Sequence, residues 1–238
     1  MANPLFPTSG SVKVQEIFTD DYTLADEGGW YVSTNPTVGT GIAQTVCVDD
    51  AATSSSTHAQ FAPAFLIYNN SSPANPNALS IYLRYLKLVV TVAPASATNW
   101  KYSLRMDNLN RYSSGGSVIT PVNVNPSSSR NQPAALVYFG AIVPTALPSA
   151  NARLVGNGTL DSAIPVIGDQ YLLKFGNAAV SMDQLSGGTL AKNMTVNAPP
   201  IIVAPGWCLA LDMWGTSNAA TPASWEFELG HAERLPGL

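Results

Sequence analysis

The sequence predicts an all-β protein: an antiparallel β-sandwich, jelly-roll-like, with an extended N-terminal arm and long loops. Three observations carry that prediction. Charge is scarce, since only 26 of 238 residues are Asp, Glu, Lys or Arg, less than half the ~25% of an ordinary soluble domain. Ser, Thr and Asn supply 59 residues, whereas Glu and Lys, the usual fillers of solvated helix faces, occur five times each. Such a chain solubilises itself with hydroxyls and amides and favours strands and turns. Finally, eight to ten apolar runs of strand length are separated by Gly, Pro and Asn, and 18 Gly and 18 Pro provide the turns.

In chain order, residues 1–10 read as an extended arm with Leu5, Phe6 and Pro7 as its apolar anchors, and residues 11–238 as one domain. A first strand is expected over 11–18. Gly28-Gly29-Trp30-Tyr31 reads as a turn entering a short strand, with Trp30 as an exposed aromatic. Further strands are expected at 42–48 and 61–68. Leu79 to Ala93 is the strongest. One of its faces carries Leu79, Ile81, Leu83, Tyr85 and Val89, the other Tyr82, Leu86, Leu88, Val90 and Val92. Two apolar faces predict that the second face meets another sheet, a loop or a neighbouring subunit.

Trp100 to Asp107 alternates as a half-buried strand. Residues 107–133 show little periodicity beyond Val118-Ile119 and Val122/Val124, and read as an extended interaction loop. Strands follow over 134–143, 153–156 and 163–175, and Ala178 to Leu185 is the best helix candidate. Two strands close the chain, one with Trp207, Leu209, Leu211 and Met213 on a face, the other with Trp225, Phe227 and Leu229 opposing Glu226 and Glu228.

Acid–base and metal chemistry have few residues to draw on. There is no Gly-x-Ser-x-Gly elbow, no phosphate-binding loop and no His-Glu-x-x-His. His58 and His231 read as surface imidazoles. Asp20-Asp21, Asp26-Glu27 and Asp49-Asp50 lack the spacing of a calcium loop and read as turn formers. Glu226 and Glu228 stand about 6–7 Å apart along one strand face, a pair a glycosidase could use but more simply a solvated face. Trp100, Trp207 and Trp225 read as core. The expectation is a protein that is not an enzyme and has no catalytic residue, metal or cofactor.

Eleven scattered cations and no basic arm argue against nucleic-acid binding. No apolar run reaches membrane-spanning length, and the N-terminus lacks the charged and apolar regions of a signal peptide. The expectation is therefore a soluble chain made in the cytoplasm. Cys47 and Cys208, the two cysteines, read as buried free thiols, with a disulfide left open.

The back half carries a resemblance. Ala135-Leu136-Val137-Tyr138-Phe139-Gly140, Ile164-Pro165-Val166-Ile167-Gly168-Asp169, Ile202-Val203-Ala204-Pro205-Gly206-Trp207 and Trp225-Glu226-Phe227-Glu228-Leu229-Gly230 look like pieces of structural proteins from tailed-bacteriophage heads. The resemblance implies a jelly-roll decoration or cement protein, often trimeric, made in the host cytoplasm and seated on the capsid surface, with the capsid protein as partner. Residues 1–10 and 107–133 would then reach neighbouring subunits through Leu5, Phe6, Pro7, Val118, Ile119, Val122 and Val124. Two alternatives are the main shell subunit of a small virus, and a glycan- or receptor-binding head-fibre or tail protein using Trp30.

Overall fold

The computed structural model describes residues 20–44, 63–94, 100–130, 132–145, 152–161, 163–176, 201–215 and 223–235. The expected arm, the strand at 11–18, the helix at 178–185, Cys47, His58 and Asp49-Asp50 lie outside them. One short helix, α1 (Asp20–Asp26), occupies the first acidic stretch, where turns were expected. The rest is strand: β1 (Trp30–Thr34), β2 (Ile42–Ala43), β3 (Pro63–Asn69), β4 (Ser80–Val92), β5 (Trp100–Asp107), β6 (Tyr112–Ile119), β7 (Val122–Asn123), β8 (Ala135–Pro144), β9 (Arg153–Asp161), β10 (Gln170–Lys174), β11 (Ile202–Val203), β12 (Cys208–Trp214) and β13 (Ser224–Arg234).

Two antiparallel sheets pack face to face. Sheet A runs β10-β4-β13-β1-β7, with β11 on β4 and β2 on β13; sheet B runs β6-β8-β3-β12-β5-β9. The order follows one rule. Take β1, β3, β4, β5, β9, β10, β12 and β13 as eight successive strands: first pairs with last (β1 with β13), second with seventh (β3 with β12), third with sixth (β4 with β10), and fourth with fifth (β5 with β9). This is one long antiparallel ribbon folded at its middle. Wrapping it brings β13 against β4 and β12 against β5, which yields the sheet orders of a jelly roll.

The expected loop at 107–133 is corrected by this topology. It forms β6 and β7, and together with β8 it is an insertion between the two middle strands of the ribbon. β8 adds to the free edge of β3, β6 adds to β8, and β7 adds to β1. The alternation is absent because β6 reads Tyr-Ser-Ser-Gly-Gly-Ser-Val-Ile and is bulged twice. Gly115 and Gly116 adopt φ of 75° and 64° there, a conformation only glycine takes cheaply.

β4 departs from the expectation of two buried faces. Tyr85 pairs with Gly230 and Leu83 with His231, so Arg84 is an extra residue in a β-bulge. The bulge switches the inward set from Ile81 and Leu83 to Leu86, Leu88 and Val90, all buried in the core. Tyr82, Tyr85, Lys87 and Val89 stand half-buried on the outward face. Thus two apolar faces in the sequence are one core face interrupted by a bulge. The absent side chain at Gly230 makes room for the Tyr85 ring, since a Cβ there would lie 2.2 Å from Tyr85 Cε1.

Between the sheets the core is aromatic. Trp225 meets Trp100 and Tyr171 edge-on, each at 5.9 Å between ring centroids, and Phe139 stacks on Phe227 at 4.0 Å. Trp100 and Trp225 are therefore core, as expected; Trp207 is half-buried, with the Arg153 guanidinium 5.1 Å from its ring centre. The outward face of sheet B is also buried around Leu66, Cys208 and Ala210, beside Tyr138, which stacks on Tyr112 at 3.7 Å. Along the same face lie two buried ion pairs, Arg105–Asp212 at 3.3 Å and Arg111–Asp107 at 2.8 Å.

Burial raises the phenols of Tyr31, Tyr85, Tyr102, Tyr138 and Tyr171 above the usual 10.0, helped by hydrogen bonds from Tyr85 to Glu228 and from Tyr171 to Asp161. Burial likewise pushes the Cys208 thiol from 9.0 up to about 11. Groups raised in the folded state hold their protons after the unfolded chain has lost them, so their stabilisation is complete below about pH 9 and falls as pH rises above it. An absorbance titration at alkaline pH should show these five phenols ionising only as the protein unfolds. Ionisation of more than four of the nine tyrosines with circular dichroism unchanged would contradict the burial of these five. Separately, Gly230→Ala should cost about 1–3 kcal/mol in urea unfolding, because the Tyr85 ring has to leave its place on β13.

Candidate interaction surfaces

The C-terminal half of β13 carries a buried polar clamp. His231, expected at the surface, is fully buried: alternation along β13 runs unbroken through Trp225, Phe227, Leu229, His231 and Glu233, which places His231 and Glu233 on the inward face opposite Leu83 and Ile81. Its ring stacks on Tyr31 at 5.5 Å, and Nε2 lies 3.4 Å from Glu233 Oε1. The Glu233 carboxylate accepts the backbone N–H groups of Ala134 and Ala135, at 2.8 and 2.9 Å. Tyr31 Oη donates to the Arg130 carbonyl at 2.9 Å, and Asn123 Nδ2 donates to the carbonyls of Gly28 and Arg130. These bonds fasten the insertion to sheet A where the chain enters β8. Their role is structural, as Glu233, Tyr31 and Asn123 each bond backbone atoms of the segments they join.

Trp30 lies on the outward face of sheet A, in a row set by register: Ile202 opposite Tyr82, Tyr82 opposite Ala232, Ala232 opposite Trp30. It is half-buried rather than exposed, with Arg84 5.8 Å from its ring centre. Arg234 covers Tyr82 in the same way at 4.6 Å. Val122 and Val124 flank Trp30 and are exposed, and the Val124 N–H donates to the Trp30 carbonyl at 3.1 Å. The structure therefore brings Trp30, Val122 and Val124 together. Val118, also exposed, stands on sheet B opposite Tyr138. Ile119 points into the core opposite Val137 and is not part of any surface. Leu5, Phe6 and Pro7 lie outside the described residues.

The Trp30 row has the residue types that dominate protein–protein hot spots, namely Trp, Tyr and Arg. Sequence reasoning missed Tyr82 and Arg84 because the bulge moves them relative to the rest of β4, and Arg234 because its place over Tyr82 depends on the pairing of β13 with β4. A sugar would need a bare aromatic face for stacking, and here the guanidinium groups already stand over the rings.

Glu226 and Glu228 line a shallow cleft of about 280 Å³ with Thr34, Asn35, Val38 and Lys87. Both carboxylates hold the fold: Glu226 accepts the Gly39 N–H, and Tyr85 Oη donates to Glu228 at 2.6 Å. A second cleft of about 330 Å³ opens between β5, β9 and the end of β12. Among the described residues no group of three His, Cys, Asp or Glu side chains is placed to hold a metal. No helix among them is long and apolar enough to cross a membrane.

Removing the clamp should be costly. Glu233→Ala strands one buried and one half-buried N–H group and should lower unfolding free energy by about 2–4 kcal/mol. Glu226→Ala, on an open loop contact, should cost less than about 1 kcal/mol. Equal losses in urea titrations would refute the assignment of Glu233 as the fastening point. Comparison with known protein families, curated proteins and solved structures finds no match, so the functional reading rests on this fold and these surfaces.

Proposed function

We propose that this chain is a virion structural protein, a capsid decoration or cement protein that binds and stabilises the shell through contacts between subunits. The observation that supports it most is the wrapped eight-strand sandwich, an architecture widespread in capsid and lectin domains. The arrangement of polar groups points the same way. The titratable side chains that come together, Glu233 with His231, Asp107 with Arg111, and Glu228 with Tyr85, are spent on holding strands and loops.

The two edges of sheet B favour assembly through faces and loop tips rather than by sheet extension. β9 is bulged at Val155 and Leu160, and β6 near Ser113 and Gly116; bulges of this kind block edge-to-edge pairing. The proposed partners are the capsid protein and further copies of this chain, as a trimer, on the outside of the virion. Trp30, Val122 and Val124, with Leu5, Phe6 and Pro7 of the arm, are the proposed contacts. Val118 adds a separate point on sheet B. The same topology supports a second reading, the main shell subunit of a small virus.

Light scattering on the purified chain, paired with thermal disruption of native capsids with and without it, separates these readings. A decoration protein gives a discrete trimer and raises the temperature of capsid disruption. The double change Val122→Glu and Val124→Glu should abolish that rise while leaving the chain's own unfolding midpoint within about 0.5 kcal/mol equivalent. A megadalton particle formed by the chain alone would replace this reading with the shell subunit. A monomer with no effect on capsids would overturn both.

A further inference from the structure

We infer that helix α1 of one copy docks on the Trp30 face of sheet A of the next, an acid-on-base contact that rests on reading that face as an interaction surface and identifies what it receives. Exposed charge is segregated on this molecule. Among the described residues Asp26 and Glu27 are the only exposed acids. Asp107, Asp161, Asp169, Asp212 and Glu233 are buried, while Glu226 and Glu228 are half-buried and bonded to Gly39 and Tyr85. Tyr22, at 75% exposure, is the only exposed aromatic residue among them. It stands four residues before Asp26 in α1, so the two share one side of the helix. Leu24 turns inward, the Gly29 N–H donates to the Leu24 carbonyl at 2.7 Å, and Asn125 Nδ2 donates to the Asp26 carbonyl at 2.9 Å. A helix held this way presents its acids and its phenol at little further cost in conformational entropy.

The cations gather on a different surface. Arg84 and Arg234 lie over the rings of Trp30 and Tyr82, and Lys174 stands exposed on the same face, paired with Tyr85. Lys87 already has Glu228 opposite it in the β4–β13 pair. The Trp30 end of sheet A therefore carries three cations and, among the described residues, no exposed acid. Sheet B offers no such cluster, since Lys101 and Arg153 stand at opposite ends of the β5–β9 ladder. A guanidinium stacked on an aromatic ring is fixed in orientation and receives a carboxylate along its edge. Val122, Val124 and Ile202, all exposed, border the face and give the Tyr22 ring apolar surface to cover. The two patches do not neutralise each other within one chain, because neither Asp26 nor Glu27 makes an ion pair among the described residues. A contact between two different patches is head-to-tail, as a trimeric ring requires.

A charge swap tests the pairing. Chains carrying Asp26→Lys with Glu27→Lys, and chains carrying Lys174→Glu with Arg234→Glu, are weighed by light scattering alone and mixed. The wild-type chain should assemble, and each reversed chain should be a monomer with an unchanged unfolding midpoint. The mixture should associate at least about tenfold more tightly than either reversed chain alone, and less tightly as salt is raised. Should a reversal unfold the chain, the neutral changes Asp26→Asn with Glu27→Gln, or Lys174→Gln, take its place, with weakened association as the expected result. A monomeric wild-type chain, a reversed or neutralised chain of unaltered mass, or a mixture that fails to associate would overturn the contact. Capsid binding that is lost on reversing the sheet-A face but kept on reversing α1 would assign that face to acidic groups of the capsid protein. The decoration reading would then stand while this contact falls.

Discussion

β13 has to pair along both edges at once for the sandwich to close. It is the last long strand of the ribbon, and it slots between β1 and β4. All its inward side chains are central ones. Trp225 fills the space between Trp100 and Tyr171, Phe227 stacks on Phe139 from the opposite sheet, and Leu229 completes the row. Past the bulge in its partner β4, the same strand delivers Glu233 to the first amides of β8. A single element therefore fixes sheet A, joins the two sheets and anchors the insertion. The first and last strands of the ribbon meet here, so these contacts close over long sequence separations, a topology that slows folding.

The scarcity of charge takes on a definite meaning in this architecture. Several of the few ions are inside: Arg105 with Asp212, Arg111 with Asp107, and Glu233 on backbone amides. Buried pairs of this sort add little net stability, because desolvation offsets their attraction, but removing one partner is costly. They specify a register. Among the described residues the surface is mostly hydroxyls, amides and scattered aliphatics, with a thin scatter of charges such as Lys87, Arg130, Arg153 and Lys174, so covering it desolvates few ions. The bulged edges of sheet B then direct such contacts to faces and loop tips. Together these features support an assembly role more than a catalytic one.

Much of this was legible in the sequence because period-two alternation survives wherever one face meets the core. Trp100 to Asp107, and Trp225 to Leu229, could be assigned to strands and faces from their residues alone. The failures share a cause in backbone irregularity. One extra residue, Arg84, reverses the faces of β4 and made a half-buried strand look buried on both sides. His231 is the exception, since the alternation of Trp225, Phe227 and Leu229 continues through it to Glu233, and its polarity alone made it read as a surface residue. In β6, two glycines at positive φ replace alternation altogether, so a strand read as a loop. At the surface, Val122 and Val124 were recognisable as unpaired apolar residues, whereas the arginines over Trp30 and Tyr82 depend on register between strands distant in sequence.

Residue-resolved hydrogen exchange on the isolated chain tests the dependence on β13 most directly. If this strand closes the sandwich, its amides and those of β4 and β1 that bond to it exchange only through global unfolding, with one common free energy. Amides of β6 and of β9 should open locally, at lower cost. If the β13 amides instead exchanged as readily as those of β6 while β3, β5 and β12 stayed protected, sheet B would be the independent unit. The central place given to β13 would then be wrong.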